Sequence, residues 1–261
     1  MKILVCISSV PDTTTKISFV NDNKEFNSAG VQFIINPYDE FGLTKALKIK
    51  EQLGGTVTVI HVGPASNEPI IRKALAIGAD SAVRIDGEAV DGLMVAHEIA
   101  NYVKNNPFDL IFTGRESIDY NGGIVPHALS AILNIPAVSP CVGLEIIGNE
   151  AQLETFVDGG KEKLKTALPV IVGSQKGLVE ESDLIIPNMR GIMLSRTKPL
   201  EVLAVQNSVN NQKVAQYELP PAKKACKMID AGNVTVAGVF ALKSSRLVSP
   251  DEAIEVLVAK R

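Results

Sequence analysis

The first 140 residues of the chain alternate short apolar runs with longer segments of helical periodicity. The apolar runs are rich in β-branched residues, which is typical of parallel strands buried on both faces. Four such runs are KILVCIS (residues 2–8), GTVTVIHVG (55–63), SAVRI (81–85) and DLIFTG (109–114). Helical spacing of apolar residues occurs between them at residues 39–55, 67–80 and 90–106. This alternation predicts an α/β fold, a doubly wound and mostly parallel sheet with helices on both faces.

The pattern changes after Pro136. Residues 142–173 alternate apolar and polar positions around turn signals at residues 148–149 and 158–160, which predicts an antiparallel meander ending in a buried strand. Residues 184–232 show little periodicity, and such a stretch is usually functional or wrapped on a partner. Ser249 is a typical N-cap residue and a proline follows it in what would be the first turn, so a C-terminal helix is predicted to begin here.

Composition excludes several classes of protein. Of the 261 residues, 46% are hydrophobic and 21% are charged. The net charge is −3 and only 5% of the residues are aromatic, and both values argue against nucleic-acid binding. No apolar run reaches the roughly 18 residues that span a bilayer. Cys6, Cys141 and Cys226 lack any C-x-x-C pairing, and the histidines share no metal-ligand spacing with them. These features predict a reducing, cytoplasmic location without a metal site, a membrane span or a nucleic-acid partner.

Four loops are predicted to meet at the carboxyl edge of the sheet, where doubly wound folds bind ligands. They are residues 6–12, 35–40, 61–66 and the turn after residue 114. Gly63 and Gly114 permit close approach of the backbone to a ligand, and the last loop leads into a helix, whose first N–H groups favour an anion. Neither G-x-G-x-x-G nor G-K-[ST] is present. Ser117, Asp119 and His127 lack the exposed elbow of a triad, so a nucleotide that is bound but not turned over is the better hypothesis.

Several segments resemble the beta subunit of electron transfer flavoprotein. In order they are INPYDEFGLTKALKIKE, RKALAIGAD, TGRESIDYNGG, VDGGKEKLKTALPVIV and IIPNM, and the resemblance covers nearly the whole chain. The part most similar to that subunit's signature consists of Asp158, Gly159, Gly160, Glu162, Leu164 and Pro169. Thr155 and Gly173 depart from it, where a basic residue and a small residue with a side chain are usual. The resemblance implies an electron carrier without catalytic residues of its own, whose FAD is held mainly by an alpha subunit.

By this resemblance the beta subunit binds a structural AMP through five short segments. The implied contacts are Cys6, Asn36, Pro37, Tyr38, Asp39, Val62, Gly114, Arg115, Glu116, Ser117, Ile118, Asp119, Asn121, Gly122, Gly123, Ile124 and Val125. Asn36 carries a donor and an acceptor, which suits an adenine edge. The loop after Gly114 would hold the phosphate with backbone amides instead of a lysine. Where the family usually has Gln-(Val/Thr)-Gly, this chain has Ile124-Val125-Pro126, which removes up to two hydrogen-bond donors.

A further segment resembles the loop by which the family docks to acyl-CoA dehydrogenases. It consists of Ile185, Ile186, Pro187, Asn188, Met189 and Arg190. An exposed Ile186 would enter a hydrophobic pocket of the partner, and basic neighbours would speed the encounter. The competing interpretation makes Ile185 and Ile186 ordinary core residues.

The resemblance also implies a division of the chain and a direction of electron flow. Residues 1–183 would form the nucleotide-binding α/β domain, and residues 184–261 the recognition loop and an arm that wraps the alpha subunit of the heterodimer. Electrons would pass from acyl-CoA or related dehydrogenases to a quinone reductase or similar acceptor.

Two other functions stay open at this point. In an electron-bifurcating form of the same family, a second FAD would replace AMP and NADH would be oxidised, and the departures in the AMP loop keep this alternative open. A protein similar to the universal stress proteins would bind ATP as a homodimer, but the signature segment and the unpatterned residues 184–232 disfavour it. The number of flavins per heterodimer distinguishes the bifurcating form from the AMP-binding form, because the first would hold two and the second one.

Overall fold

The computed structural model describes residues 1–89, 91–206, 212 and 214–221, and strands and helices alternate from Pro37 to Leu133. The strands are β1 (Lys2–Cys6), β2 (Ser9–Pro11), β3 (Phe19–Val20), β4 (Glu25–Phe26), β5 (Phe33–Ile35), β6 (Thr56–Val62), β7 (Ser81–Asp86), β8 (Leu110–Gly114), β9 (Ala137–Ile147), β10 (Glu150–Val157), β11 (Gly160–Ala167), β12 (Val170–Ser174) and β13 (Leu200–Ala204). The helices are α1 (Pro37–Leu53), α2 (Glu68–Ile77), α3 (Gly92–Asn105), α4 (Val125–Leu133) and α5 (Met189–Ser195).

Nine strands form one sheet in the order β11-β10-β9-β12-β8-β1-β6-β7-β13. Neighbours from β9 through β13 run parallel, and β9, β10 and β11 form the antiparallel meander. From β1 the chain moves to β6 and β7 on one side, and then to β8 on the other. The switch point of the sheet therefore lies between β1 and β8. The predicted doubly wound fold and its meander are confirmed.

Apolar cores lie on both faces of the sheet. One contains the buried faces of α1 and α2, including Leu43, Leu47 and Leu75. The other contains the buried faces of α3 and α4, including Ile99 and Leu129. Alternate residues of each parallel strand enter opposite cores, because successive side chains of a strand point to opposite faces. This is why the central strands are largely apolar.

The prediction of an irregular stretch at residues 184–232 is wrong for residues 189–204. Here α5 is capped by the Asn188 side chain, which accepts a hydrogen bond from the Gly191 N–H at 2.7 Å, and β13 pairs with β7 along the sheet. Neither element carries a clear pattern, because α5 has seven residues and β13 exposes or half-exposes every side chain. Parallel pairing with β7, more than a hundred residues earlier in the chain, determines the strand.

Two compact units divide the chain, Met1–Tyr217 and Glu218–Arg261, and residues 218–221 of the second are described. The first unit includes α5 and β13, while the boundary after residue 183 stays a prediction. The helix predicted from Ser249 lies outside the described residues, as does Cys226. Within the described part of the chain, no helix is both long enough and apolar enough to cross a membrane.

Candidate functional site

A cleft of about 390 Å³ opens at the carboxyl edge of the sheet, beside the switch point between β1 and β8. Its walls come from the ends of β1, β6 and β8, the loop after β7 and the first turn of α4. The volume falls within the range of about 300–1,000 Å³ typical of small-molecule sites. The loops that the sequence predicted to converge after β1, β6 and β8 do meet here.

Asn36 and Asp39, at the start of α1, tie these loops together from below, and both are almost fully buried. Asn36 Nδ2 donates to the Glu116 carbonyl oxygen at 2.9 Å and to Asp39 Oδ1 at 3.1 Å. Asn36 Oδ1 accepts from the Ile118 N–H at 3.3 Å, and Asp39 Oδ2 accepts from the Ser8 N–H at 2.7 Å. One amide and one carboxyl thus join the loop after β1, the start of α1 and the loop after β8. The structure directs the Asn36 amide to these internal bonds and not into the cleft, so it positions the loop after β8.

Close packing at Gly114 completes this junction. A Cβ at this position would collide with Asp39 Oδ1 and would lie 2.9 Å from Asn36 Nδ2. Burial raises the pKa of the Asp39 carboxyl to about 7, although hydrogen bonds from Ser8, Asn36 and Gly114 lower it. Near neutral pH the carboxyl therefore exchanges between charged and neutral forms inside the junction.

His61 and Arg84 stiffen the wall formed by β6. His61 Nδ1 donates to the Ile7 carbonyl at 2.9 Å, and Nε2 accepts from Asn67 Nδ2 at 3.0 Å, which defines the tautomer because the carbonyl can only accept. Burial lowers the pKa of the imidazole; the Ile7 carbonyl opposes this and the Arg84 charge adds to it. Arg84 Nη1 donates to the Gly63 carbonyl at 3.0 Å. The imidazole is therefore a neutral structural group in this wall.

Buried hydroxyl groups in the cleft lack a hydrogen-bond partner among the described residues. They include Thr113 Oγ1 and Ser9 Oγ; both residues line the cleft, and Thr113 is only 2% exposed. Leaving a buried hydroxyl unpaired costs about 1–3 kcal/mol, so native proteins rarely do it. A polar ligand in the cleft would supply the missing partner.

Tyr120 borders the mouth of the cleft and is largely exposed. Its ring packs so closely on Gly122 that a Cβ there would collide with the ring. Nearby, a Cβ on Gly92 would lie 2.7 Å from the Ile124 side chain and 3.5 Å from the Tyr120 hydroxyl, so the loop before α4 packs tightly against the start of α3. Glu88 and Asp119 also line the cleft.

The residues predicted from the resemblance separate into two groups. Those that line the cleft are Cys6, Asp39, Val62, Gly114, Glu116, Ser117, Asp119, Gly122 and Val125. Those that lie outside its lining are Asn36, Pro37, Tyr38, Arg115, Ile118, Asn121, Gly123 and Ile124. Arg115 illustrates the second group, since its guanidinium lies 5.5 Å from the centre of the Tyr38 ring and donates to Gln175 at 2.9 Å.

Several residues that line the cleft are not among the contacts implied by the resemblance. They include Ser8, Ser9, Asn67, Glu88, Ala89, Thr113 and Tyr120. Glu88 and Ala89 follow β7, so the rule that placed the other loops at the carboxyl edge also places these residues there. Thr113 has no local signal, because it belongs to a strand and its orphaned hydroxyl is visible only in three dimensions.

The arrangement favours binding over catalysis. Burial, together with the Asp39 charge, raises the pKa of the Cys6 thiol, so Cys6 stays protonated and is a poor nucleophile. Among the described residues, no three side chains of His, Cys, Asp or Glu are grouped so as to hold a metal ion. What remains is a small cleft with hydroxyl, amide and carboxylate groups.

The two isoleucines of the segment predicted to dock a dehydrogenase differ in burial. Ile185 is half-buried against the core, whereas Ile186 is 83% exposed and Met189 is 76% exposed. The core interpretation therefore holds for Ile185 and not for Ile186. The last two residues of the segment, Met189 and Arg190, begin α5, which adds the exposed side chain of Met193 to the same region.

Reciprocal contacts hold α5 against α2. Arg72, on α2, donates through Nη1 to the carbonyl oxygens of Ser195 at 2.9 Å and Lys198 at 3.0 Å. Lys198 Nζ donates in return to the carbonyl oxygens of Leu75 at 2.9 Å and Ala79 at 2.6 Å, at the end of α2. The exposed apolar side chains therefore project from an anchored helix.

Comparisons with known proteins agree with this architecture. The electron transfer flavoprotein domain model matches residues 25–208. An electron transfer flavoprotein subunit beta of Bacillus subtilis is 36% identical over 240 residues, which cover 88% of this chain and 91% of that protein. The corresponding subunit of Syntrophomonas wolfei is 33% identical over 227 residues, covering 86% and 88%. Protein FixA of Azotobacter vinelandii is 34% identical over 190 residues, covering 69% and 67%.

Proposed function

This chain belongs to the electron transfer flavoprotein family as a beta subunit, and from that premise we propose that it is the small subunit of a heterodimeric electron carrier. The alpha subunit would hold FAD, which supplies the electron-carrying chemistry. The heterodimer would take electrons from acyl-CoA or related dehydrogenases and deliver them to a quinone reductase or similar acceptor in the cytoplasm. Because the chain belongs to this family, the alternative of a protein similar to the universal stress proteins is set aside.

We further propose that the cleft beside the switch point holds a structural AMP. The observation that carries this proposal is the orphaned Thr113 hydroxyl in a cleft of about 390 Å³. The Asn36–Asp39 junction fixes the loop after β8, which forms part of the cleft wall. A bound nucleotide would join the ends of β1, β6 and β8 and so stabilise the subunit by mass action.

The composition of the purified protein tests this function. Expressed alone, the chain should be colourless; co-purified with its alpha subunit, the heterodimer should be yellow and release one FAD and one AMP on denaturation. Absorbance and mass spectrometry of the extract measure both quantities. Two FAD molecules and no AMP would instead establish the bifurcating alternative. A stoichiometric flavin in the chain alone would disprove the proposed division between subunits.

We propose that Ile186 is the apolar anchor for the dehydrogenase. Burying an isoleucine side chain contributes roughly 1.5–3 kcal/mol, or about a 10- to 150-fold change in affinity. Ile186→Ala should therefore raise the dehydrogenase concentration needed for half-maximal flavin reduction by about that factor, while the melting temperature stays near wild type.

Ile185→Ala is the matched control, because it removes the same atoms from a half-buried neighbour that packs against the core. It should reduce the free energy of unfolding, on the order of 2 kcal/mol, and leave docking by the folded protein unchanged. If both variants keep wild-type docking when corrected for the folded fraction, the anchor lies elsewhere.

A further inference from the structure

We propose that the hairpin of β3 and β4, together with residues 214–217, forms a surface on which the alpha subunit docks. A stack between the rings of Phe19 and Tyr217 holds the two parts of this surface together. The inference rests on the proposed heterodimer and specifies which face of this chain joins it.

Phe19 and Tyr217 are far apart in the sequence, and two contacts hold their segments together. The ring centres lie 5.0 Å apart, with an angle of 12° between the ring planes. The Tyr217 N–H also donates to the Asn23 carbonyl oxygen, at 2.7 Å. Both aromatic residues are half-buried, whereas residues 214–216 are exposed. Because stacking stabilises such a pair beyond the apolar area that it buries, Tyr217 attaches this segment to the hairpin.

The turn of the hairpin positions the carbonyl group that Tyr217 uses. Asn21, Asp22 and Asn23 adopt left-handed backbone conformations, with φ of 54°, 56° and 61°. Asn and Asp tolerate this conformation better than most other residues with a side chain. The Lys24 N–H closes the turn by donating to the Asn21 carbonyl oxygen at 3.1 Å. A hairpin with strands of only two residues is marginally stable by itself, so the stack on Tyr217 stabilises it in return.

This surface lies at the same edge of the sheet as the cleft. The hairpin belongs to residues 12–32, which connect β2 to β5. β2 follows the carboxyl end of β1, and β5 pairs with β2 and leads directly to Asn36. The exposed apolar side chains that accompany the stack in sequence are Ile17, Val20 and Val214. Exposed apolar side chains beside a fixed aromatic pair suit a protein partner.

The chain leaves its first compact unit at this surface, because the second unit begins at Glu218. The second unit, Glu218–Arg261, has 44 residues. This is close to the limit of about 40 residues below which a disulfide, a metal or a partner is usually needed for folding. Its sequence contains one cysteine, Cys226, which excludes a disulfide within the unit. The size of the unit therefore favours a partner protein.

The alpha subunit fits this requirement better than a dehydrogenase does. The second unit would need its partner whether or not a dehydrogenase is bound. In the proposed heterodimer the alpha subunit stays in place throughout electron transfer, whereas dehydrogenases come and go. The proposed dehydrogenase anchor, Ile186, also lies elsewhere, next to α5 and the contacts of α5 with α2.

The stack also fixes the residue from which the second unit reaches the alpha subunit. An earlier attachment of the described chain is Gln206, whose N–H donates to Glu98 at 3.0 Å. Breaking the stack would move the start of the tether from Tyr217 back towards Gln206. The effective concentration of a tethered segment at its binding site falls as the tether lengthens. Loss of either ring should therefore weaken the heterodimer.

Dilution of the purified heterodimer, with its flavin and nucleotide bound, tests this surface. Fluorescence-detected sedimentation of the labelled complex gives the dissociation constant from the fraction of heterodimer at each concentration. Phe19→Ala and Tyr217→Ala should each raise this constant about tenfold or more. The double variant should raise it no further than the stronger single variant, because both substitutions remove the same contact. Tyr217→Phe keeps the ring and the N–H, so it should bind as wild type does.

Leu53→Ala is the matched control, because Leu53 is an exposed apolar residue on another part of the surface. It ends α1 beside Gly54, whose carbonyl accepts from the amino group of Met1 at 3.5 Å, at the opposite edge of the sheet. Its dissociation constant should stay near wild type. Tyr217→Ala without the alpha subunit should melt near wild type as well, since Tyr217 is the last residue of the first unit.

Wild-type affinity in both alanine variants would overturn this inference and leave the proposed heterodimer intact. An equal loss of affinity in Leu53→Ala would also overturn it, as would unfolding of both alanine variants when the partner is absent, because the stack would then serve stability alone. If the wild-type chain forms no heterodimer, the proposed function itself fails, and the inference with it.

Discussion

Replacing Gly114 by alanine is expected to disrupt the cleft and lower the melting temperature by roughly 10 °C. The added Cβ would overlap Asp39 Oδ1, and it would lie 2.9 Å from Asn36 Nδ2 and 3.1 Å from the Glu116 carbonyl oxygen. These atoms are close to fixed, because they are buried and bonded to one another. Relief of the overlap requires that the junction beneath the cleft be pulled apart.

The size of the effect of Gly114→Ala follows from two contributions. Overpacking a dense interior costs about 1–3 kcal/mol, and each buried hydrogen-bonding group left unpaired costs about 1–3 kcal/mol more. Together these contributions reduce the free energy of unfolding by roughly 3–5 kcal/mol. For a chain of this size each kcal/mol lowers the melting temperature by about 2–4 °C, which gives a decrease of roughly 10 °C. Nucleotide affinity should fall in parallel, because the loop after β8 forms part of the cleft.

Gly160→Ala provides the matched control for Gly114→Ala. Gly160 begins β11, and no atom lies within 4 Å of the position that its Cβ would take. Its melting temperature and nucleotide affinity should stay near wild type. Thermal unfolding and calorimetric titration on the two variants measure the comparison. If Gly114→Ala melts with the control and binds normally, the packing of the junction is looser than described.

The free energy of unfolding should fall as pH rises from about 4 to 8, and Asp39→Asn should remove most of that dependence. Burial raises the pKa of Asp39 from 3.8 to about 7, whereas the unfolded chain has the ordinary value. The folded state therefore binds more protons than the unfolded state between these values. The contribution of Asp39 is greatest below about pH 4 and is lost as pH rises through 7.

A pKa raised from 3.8 to about 7 corresponds to roughly 4 kcal/mol of stability at acid pH. At acid pH the Asn variant should be less stable than wild type, because its NH₂ group faces the N–H donors of Ser8 and Gly114. Near pH 8 the difference should shrink, since wild type then carries a buried charge. Urea unfolding at a series of pH values, without nucleotide, measures the two curves.

Asp158→Asn changes an exposed carboxyl in the turn between β10 and β11 and serves as the control for Asp39→Asn. Its pH profile should follow wild type. Parallel profiles for wild type and Asp39→Asn would show that Asp39 titrates alike in both states, and the assignment of the pH dependence to this carboxyl would fail.

The sheet is the part of this protein that the sequence predicted best. Parallel strands in the middle of a doubly wound sheet are buried on both faces, so β1, β6, β7 and β8 were expected to be largely apolar, and they are. The position of the cleft followed from the same pattern, because the carboxyl ends of parallel strands share one edge. The edge strand β13 and the short helix α5 were missed, since an edge strand half open to solvent and a helix of two turns need no strong pattern.

The sequence by itself therefore determined the central strands and the helices between them, the edge where the cleft lies and the loops that reach it. Tertiary structure alone decided the role of each side chain there. The sequence predicted that Asn36 contacts the ligand. Its hydrogen-bond partners Glu116 and Ile118 lie 80 and 82 residues away along the chain, and only the fold brings them to its amide. The same holds for Thr113, whose unpaired hydroxyl depends on every neighbour around it. Local sequence encodes burial and turn geometry, whereas the satisfaction of a polar atom depends on distant residues meeting in space.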